Sequence, residues 1–417
     1  MPNLCRRRKS CRLCASVKMT QVLELCPTPP ANAFVSKKFL SQSQPVFPLK
    51  LFFCESCSHV QLVDIVNPEL LFKNYVYVSG TSPVFISHFH DYAETIIKSY
   101  VSNPEGQLVL DIGSNDGTLL KEFKKYGMRV LGVDPAQEIS VKACNEGVET
   151  LNAFFTRKLA HQIRVDYGAA KVVTANNVFA HSDELIDITN GIHDLLAPDG
   201  VFVFEVSYLA DVFQGTLFDT IYHEHLAYHS VKPLQHFFKK HGLEMIAAKR
   251  VKTHGGSLRG IVQLANGPRE IDASIGAFIK EEADLGLHKA STLHSFGVRI
   301  GEIKEELRCV LKSLKEEGKT IGGFGAPAKA TTLMHHFDIG PDIIDFIVDD
   351  SQLKQGLYSP GMHIPIIGSS AIYKKKPDVM LILAWNFSKS IMKDHREYLR
   401  RGGTFVVPLP KVEIFKL

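Results

Sequence analysis

No apolar run in the sequence approaches the roughly 18 residues that a membrane-spanning helix needs, so neither a bilayer span nor a membrane partner is expected. The first residues lack the apolar core of a signal peptide, which points to a cytoplasmic chain and makes a disulfide framework unexpected. An excess of charge of one sign is also missing. The net charge is +4 over 417 residues, too small to imply a nucleic-acid partner by itself. The basic run Arg6-Arg7-Arg8-Lys9 reads as a solvated tail. No internal repeat is visible, and length and composition fit a globular protein of two or three domains.

Cysteine is sparse but informatively spaced. Of eight, four form two CxxC pairs, Cys11/Cys14 and Cys54/Cys57. Each CxxC is a tight turn that points two sulfurs at one ion. Residues 1–75 are short segments rich in Pro, Ser and Cys, too irregular to bury much core unaided. One structural zinc held by four thiolates supplies the missing stability, because metal binding is coupled to folding. Four thiolates fill the ion's coordination, so no catalysis is expected there. Cys5 and Cys26 read as bystanders.

The stretch Leu108–Pro135 has two short apolar runs flanking a Gly-rich turn and an amphipathic helix, a β-turn-α-β unit. The turn lacks the GxGxxG of a dinucleotide site and carries Asp111, Gly113, Asn115, Asp116 and Gly117 instead. Carboxylates repel a pyrophosphate but suit a ligand with an amino group and a sulfonium charge. The D-x-G-x-x-x-G pattern resembles motif I of the S-adenosylmethionine (SAM) methyltransferases. Gly113 permits close backbone approach. Asp134, ending the second strand, stands where an acid accepts hydrogen bonds from a ribose diol. Asp111 or Asp116 is expected near the methionine amine.

Strands and helices then alternate through residue 207, which predicts a doubly wound parallel sheet. The strand at 170–175 runs into Asn176, Asn177 and His181, which should look into the ligand crevice at the strand ends. The run Tyr222-His223-Glu224-His225 lies in the stretch with the most titratable groups per residue. A zinc-protease HExxH fails there, since Ala227 stands where the second histidine should be. A histidine–carboxylate pair suits general-base work.

Three further stretches leave alternatives open. Residues 74–85, with Tyr75 and Tyr77, are either a substrate-binding strip or a loop with packed tyrosines. His254-Gly255-Gly256-Ser257-Leu258-Arg259 either brings Arg259 to a phosphate or carboxylate or is a hairpin turn with a surface arginine. Residues 269–317 read as a linker helix or helix pair. A second α/β unit starts at Thr320, with a Gly-rich turn at Gly322–Gly325, no acid in the turn, and Lys329 behind it, which favours phosphate. A later strand ends in Trp385-Asn386, so Asn386 joins Lys329 as a substrate-side candidate.

Taken in order, CRLC with CESC, residues 25–34, DIGSNDGTLL, NNVFAH, IYHEH, HGGSLR, GFGAPAKATTL, DDSQLKQG and AWNF resemble one family over nearly the full length. It is the nucleotide-sugar C-methyltransferases of branched deoxysugar biosynthesis. The resemblance implies a zinc-binding lobe (1–75), a class I SAM methyltransferase domain (76–268), and linker helices with a C-terminal Rossmann-like lobe (269–417), with substrate between the last two. It implies His225 as the base, with Glu224, Tyr222 and His181 around it, and Tyr77 as a substrate contact. The expected chemistry removes a proton beside a keto group, stabilises the enolate oxygen, and methylates the carbon, C3 in the family. SAM and one zinc are the expected cofactors, a nucleotide-diphosphate keto-sugar the partner, and a monomer or weak oligomer the assembly. Ala15 stands where the family has glycine after the second cysteine. Two other classes remain open: a nucleic-acid methyltransferase, and a non-catalytic SAM or nucleotide binder.

Overall fold

Residues 4–72, 83–252 and 255–417 are described by the computed structural model. Its centre is the expected α/β sheet. Seven strands lie in the order Leu243–Val251, Ser257–Leu264, Leu196–Ser207, Ala170–Asn176, Leu108–Ile112, Arg129–Val133 and Thr150–Leu151. Only Ser257–Leu264 runs antiparallel to its neighbours. Leu108–Ile112 is buried along its whole length, because helices cover both faces. On one face Tyr92 and Ile96 of helix Pro83–Tyr100 pack with Leu119 and Phe123 against Val109, Val201 and Val203. Strand order reverses between the parallel neighbours Leu108–Ile112 and Ala170–Asn176, so a crevice opens at their carboxyl ends.

The N-terminal segment is more regular than the sequence suggests. Strands Met19–Thr28, Phe47–Cys54 and Val60–Leu62 form an antiparallel sheet. Phe47, Leu49, Leu51 and Phe53 alternate inward from the middle strand. The sheet is completed by Ala227–Tyr228, which pairs with Val60–Leu62 from beyond the run Tyr222–His225. Pro48 breaks the polar alternation in the sequence, and the fourth strand comes from 165 residues downstream, which is why the segment reads as irregular on its own.

A six-stranded sheet forms the C-terminal lobe, in the order Ile366–Ile367, Phe346–Val348, Ile321–Phe324, Val379–Ile382, Thr404–Val407 and Glu413–Phe415, parallel except for the last. The expected linker is a helix pair, Ala273–Asp284 and Ala290–Glu316. In the second helix Leu293, Phe296, Ile300, Ile303, Leu307 and Leu311 recur at helical spacing and are buried. It packs on strand Met19–Thr28, as does helix Ala328–Phe337 of the C-terminal lobe. Val35–Ser36 also pairs with Leu357–Tyr358. The N-terminal sheet is therefore wedged between the other two lobes. Among the described residues no helix is long and apolar enough to cross a membrane.

Candidate active site

Both cysteine turns close on one point. The four sulfurs of Cys11, Cys14, Cys54 and Cys57 lie within 4.8 Å of one another, with Cys11–Cys57 at 3.6 Å and Cys14–Cys54 at 3.5 Å. A tetrahedral zinc with bonds of about 2.3 Å spaces its sulfurs by roughly 3.8 Å, so the four residues fit the ion. The residue after each second cysteine is left-handed, Ala15 at φ 61° and Ser58 at φ 64°. Ala15 thus holds the conformation that glycine adopts without strain.

A cavity of about 1730 Å³ opens at the carboxyl ends of the central strands. Gly113, Asn115, Asp134, Asn176, Asn177 and His181 line one part of it. Gly113 has φ +70°, and a Cβ there would sit 2.3 Å from Val178 Cγ2, so the turn closes only around glycine. The backbone N–H groups of Asn115 and Ala136 donate to the two oxygens of Asp134, at 2.9 and 2.8 Å. That fixes the carboxylate at the strand end with lone pairs left for a diol. These residues fit the ribose and methionine portions of SAM.

The run Tyr222–His225 crosses the same cavity. Nδ1–H of His225 donates to the Thr220 carbonyl at 2.7 Å, which leaves the lone pair on Nε2. The His225 ring lies 4.0 Å from the Tyr222 ring and 5.0 Å from the His181 ring, and His181 stacks on Phe72 at 5.9 Å. Glu224 is buried and accepts a hydrogen bond from Asn32 at 2.9 Å. His223 points away. Its Nε2–H donates to the Phe47 carbonyl, and burial pushes it down to about 4.

The opposite wall comes from the C-terminal lobe. Lys329, Trp385 and Asn386 line the cavity with Tyr222, Glu224 and His225. The Lys329 ammonium lies 3.5 Å from the centre of the Trp385 ring and donates to Asn386 Oδ1 at 2.7 Å. Burial pulls Lys329 down to about 8, opposed by the carboxylate of Asp219. Trp385 Nε1–H donates to Asp219 at 2.5 Å, and Thr332 Oγ1–H donates to the Ile221 carbonyl at 2.9 Å. Both acceptors belong to the stretch just before His225, so the C-terminal lobe grips that stretch.

Comparison with known proteins follows this division. Solved structures that resemble the chain include the magnesium protoporphyrin IX methyltransferase ChlM of Synechocystis PCC 6803 with bound SAM. It is 14% identical, with 43% of this chain and 81% of that one covered and a TM-score of 0.32. Protein PH0226 of Pyrococcus horikoshii OT3 is 15% identical, with 45% and 94% covered and a TM-score of 0.35. Three family models match in succession: "Putative zinc binding domain" at residues 11–72, "Methyltransferase domain" at 86–248, and "C-methyltransferase C-terminal domain" at 252–410. The C-methyltransferase NovU of Streptomyces niveus is 32% identical over 414 residues, 99% of this chain and 98% of NovU. The chain belongs to the C-methyltransferase family. It is a SAM-dependent C-methyltransferase with a class I methyltransferase fold and an N-terminal zinc-binding lobe.

In this C-methyltransferase several residues take other places than the sequence suggests. Arg259 meets no ligand-facing space. It is buried in strand Ser257–Leu264, paired with Glu205 on the neighbouring strand at 2.5 Å, and lies over the Tyr92 ring at 4.0 Å. Asp111 and Asp116 do not line the cavity. Asp111 accepts from Thr174 at 2.6 Å, and burial raises it to about 7 against that hydrogen bond, with Asp134 adding to the rise. Asp116 accepts from the N–H and hydroxyl of Thr118, the first residue of the following helix. Glu224 does not hold Nδ1 of His225, because the Thr220 carbonyl occupies it. Tyr77 and the rest of its strip up to Ser82 lie outside the described residues. Sequence reasoning passed over Asn32, Asp219, Thr220 and Trp385. Trp385, as the single tryptophan at a strand end, carried the one available signal.

Proposed function

We propose that this C-methyltransferase methylates a carbon of a nucleotide-linked keto-deoxysugar, C3, through an enolate. The observation that carries the reading is the His181–His225–Tyr222 stack over a cavity lined by both the methyltransferase and the C-terminal lobes. Bound SAM supplies the electrophilic methyl group. His225 takes the proton beside the keto group at Nε2, its tautomer set by the Thr220 carbonyl. Tyr222 or His181 donates to the developing enolate oxygen. Glu224, held by Asn32, keeps the run in place. Asp134 takes the ribose diol of SAM, with Gly113, Asn115, Asn176 and Asn177 around the rest. Lys329 takes the substrate diphosphate beside Asn386, and Tyr77 remains a candidate sugar contact. The working division of the chain is 1–75, 76–268 and 269–417.

Incubation with methyl-labelled SAM and a panel of nucleotide keto-sugars tests the substrate class. Label is expected on a carbon next to the keto group of one of them. Transfer to RNA or DNA instead overturns the reading. The His225→Asn variant should bind both ligands and lose ~10²–10⁴-fold in kcat. A loss under tenfold, with chemistry rate-limiting, removes His225 from the base role.

A further inference from the structure

Arg12 lies between two zinc ligands, and its side chain has no exposed surface. A buried guanidinium is an unpromising source of stability, since leaving water costs several kcal/mol that its ion pair only partly recovers. One of its terminal nitrogens, Nη2, has no hydrogen-bond partner among the described residues, a further cost. The remaining donors are aimed at particular acceptors. Nε–H donates to Asp183 at 2.9 Å, and Nη1 donates to the carbonyls of Leu226 at 3.0 Å and Leu62 at 2.5 Å and to Gln61 at 3.1 Å.

Two of those acceptors flank the catalytic histidines. Asp183 follows His181 by two residues, and Leu226 follows His225 directly. The same two segments are tied to each other, because the N–H groups of Leu226 and Ala227 both donate to the Ala180 carbonyl. Asp183 also receives Arg8 at 3.0 Å and Arg6, all from the N-terminal lobe. We infer that Arg12 is a positioning residue: its guanidinium ties the zinc turn to the His181 and His225 segments and sets the spacing of their stacked rings. The zinc lobe then has a catalytic consequence without touching substrate. Fixing Cys11 and Cys14 on the ion fixes the Cα of Arg12, and Arg12 fixes the two backbones that carry the histidines. The inference rests on the reading of His225 and His181 given above.

Arg12→Met fills the same space without a charge. Leu226 O keeps the Leu62 N–H, and Asp183 keeps Arg8, so few groups are left unpaired. With zinc content at one per chain and SAM affinity by calorimetry at the wild-type value, kcat should fall by about 10²-fold, as for a misplacement near 1 Å. KM for the sugar nucleotide should hold, and the His225 and His181 ring signals should shift in NMR spectra of histidine-labelled protein. Asp183→Asn should give a smaller loss of the same kind. The double variant should lose less than the two single losses combined, because the Arg12–Asp183 linkage is already cut in each. If Arg12→Met does not fold, Arg12→Lys, which keeps a charge at Asp183 but cannot span to Leu226, carries the same expectation. A folded, zinc-loaded variant with unchanged kcat and ring signals overturns the inference, as do additive losses in the double variant. His225→Asn is run alongside. If it keeps full turnover, the base assignment fails and the inference falls with it. If it is inactive while the Arg12 variants turn over normally, only the inference falls.

Discussion

Two single residues carry charges whose state changes within reach of ordinary buffers. Asp111 is raised from 3.8 to about 7, first by burial and then by Asp134, with Thr174 opposing. A carboxyl raised in the folded state gives stability that is full below about 4, declines above it, and is lost as pH rises through about 7. The SAM-free Asp111→Asn variant is therefore expected to gain in melting temperature relative to wild type as pH goes from acidic to alkaline. A difference that is flat across that window rejects the buried, protonated carboxyl. Lys329 moves the other way, lowered from 10.5 to about 8, so its positive charge disappears as pH rises through about 8. KM for the nucleotide sugar should climb above that pH in wild type. In Lys329→Arg, where the charge persists, the climb should vanish. A wild-type KM that stays level there takes the diphosphate away from Lys329. Residue types announced the glycine turn and the four thiolates in the sequence. They misled at Arg259, because what buries it is Glu205, a strand neighbour 54 positions earlier that becomes its partner only in the folded sheet register.

Among the elements, the short stretch Phe218–His225 is held from both sides. Asp219 is fully buried and faces Trp385 Nε1 and Lys329, while its neighbour Thr220 holds the His225 ring. Trp385→Phe keeps an aromatic ring under Lys329 but removes the donor to a buried carboxylate. The expected cost is about 1–3 kcal/mol of stability, with a fall in kcat. Unchanged melting and unchanged turnover together would show that the link between Trp385 and the stretch Phe218–His225 has no energetic weight. The strands and helices around this stretch were legible, since their periods of apolar residues are long and regular. The stretch itself was legible only as a cluster of titratable side chains. Its geometry depends on backbone carbonyls at Thr220 and Ile221, and an acceptor that every residue possesses leaves no mark in the sequence.

At the scale of the whole molecule, the N-terminal sheet touches everything. It takes its fourth strand from residues 227–228 and packs on the helices Ala290–Glu316 and Ala328–Phe337. Stripping the metal with a chelator, or by Cys14→Ser, should therefore lower the melting temperature of the entire chain in one transition rather than release a separate unit. Calorimetry reads this directly, and a second transition that leaves the main one unmoved would show the lobe to be independent. The order of three lobes could be read from the motifs, but their interlocking could not, because it rests on pairings such as Val35–Ser36 with Leu357–Tyr358 between segments more than 300 residues apart.

That fourth strand has a consequence for synthesis. Val60–Leu62 leaves the ribosome long before Ala227–Tyr228, and at about 5–20 residues per second the wait is on the order of 10 s. Throughout it the sheet has an open edge, and Arg12 has neither Asp183 nor Leu226 to hold. The zinc lobe, made before the other two, is thus among the last to be finished. A nascent chain that stalls before residue 228 presents an unpaired strand edge, the kind of surface on which chains join one another rather than themselves.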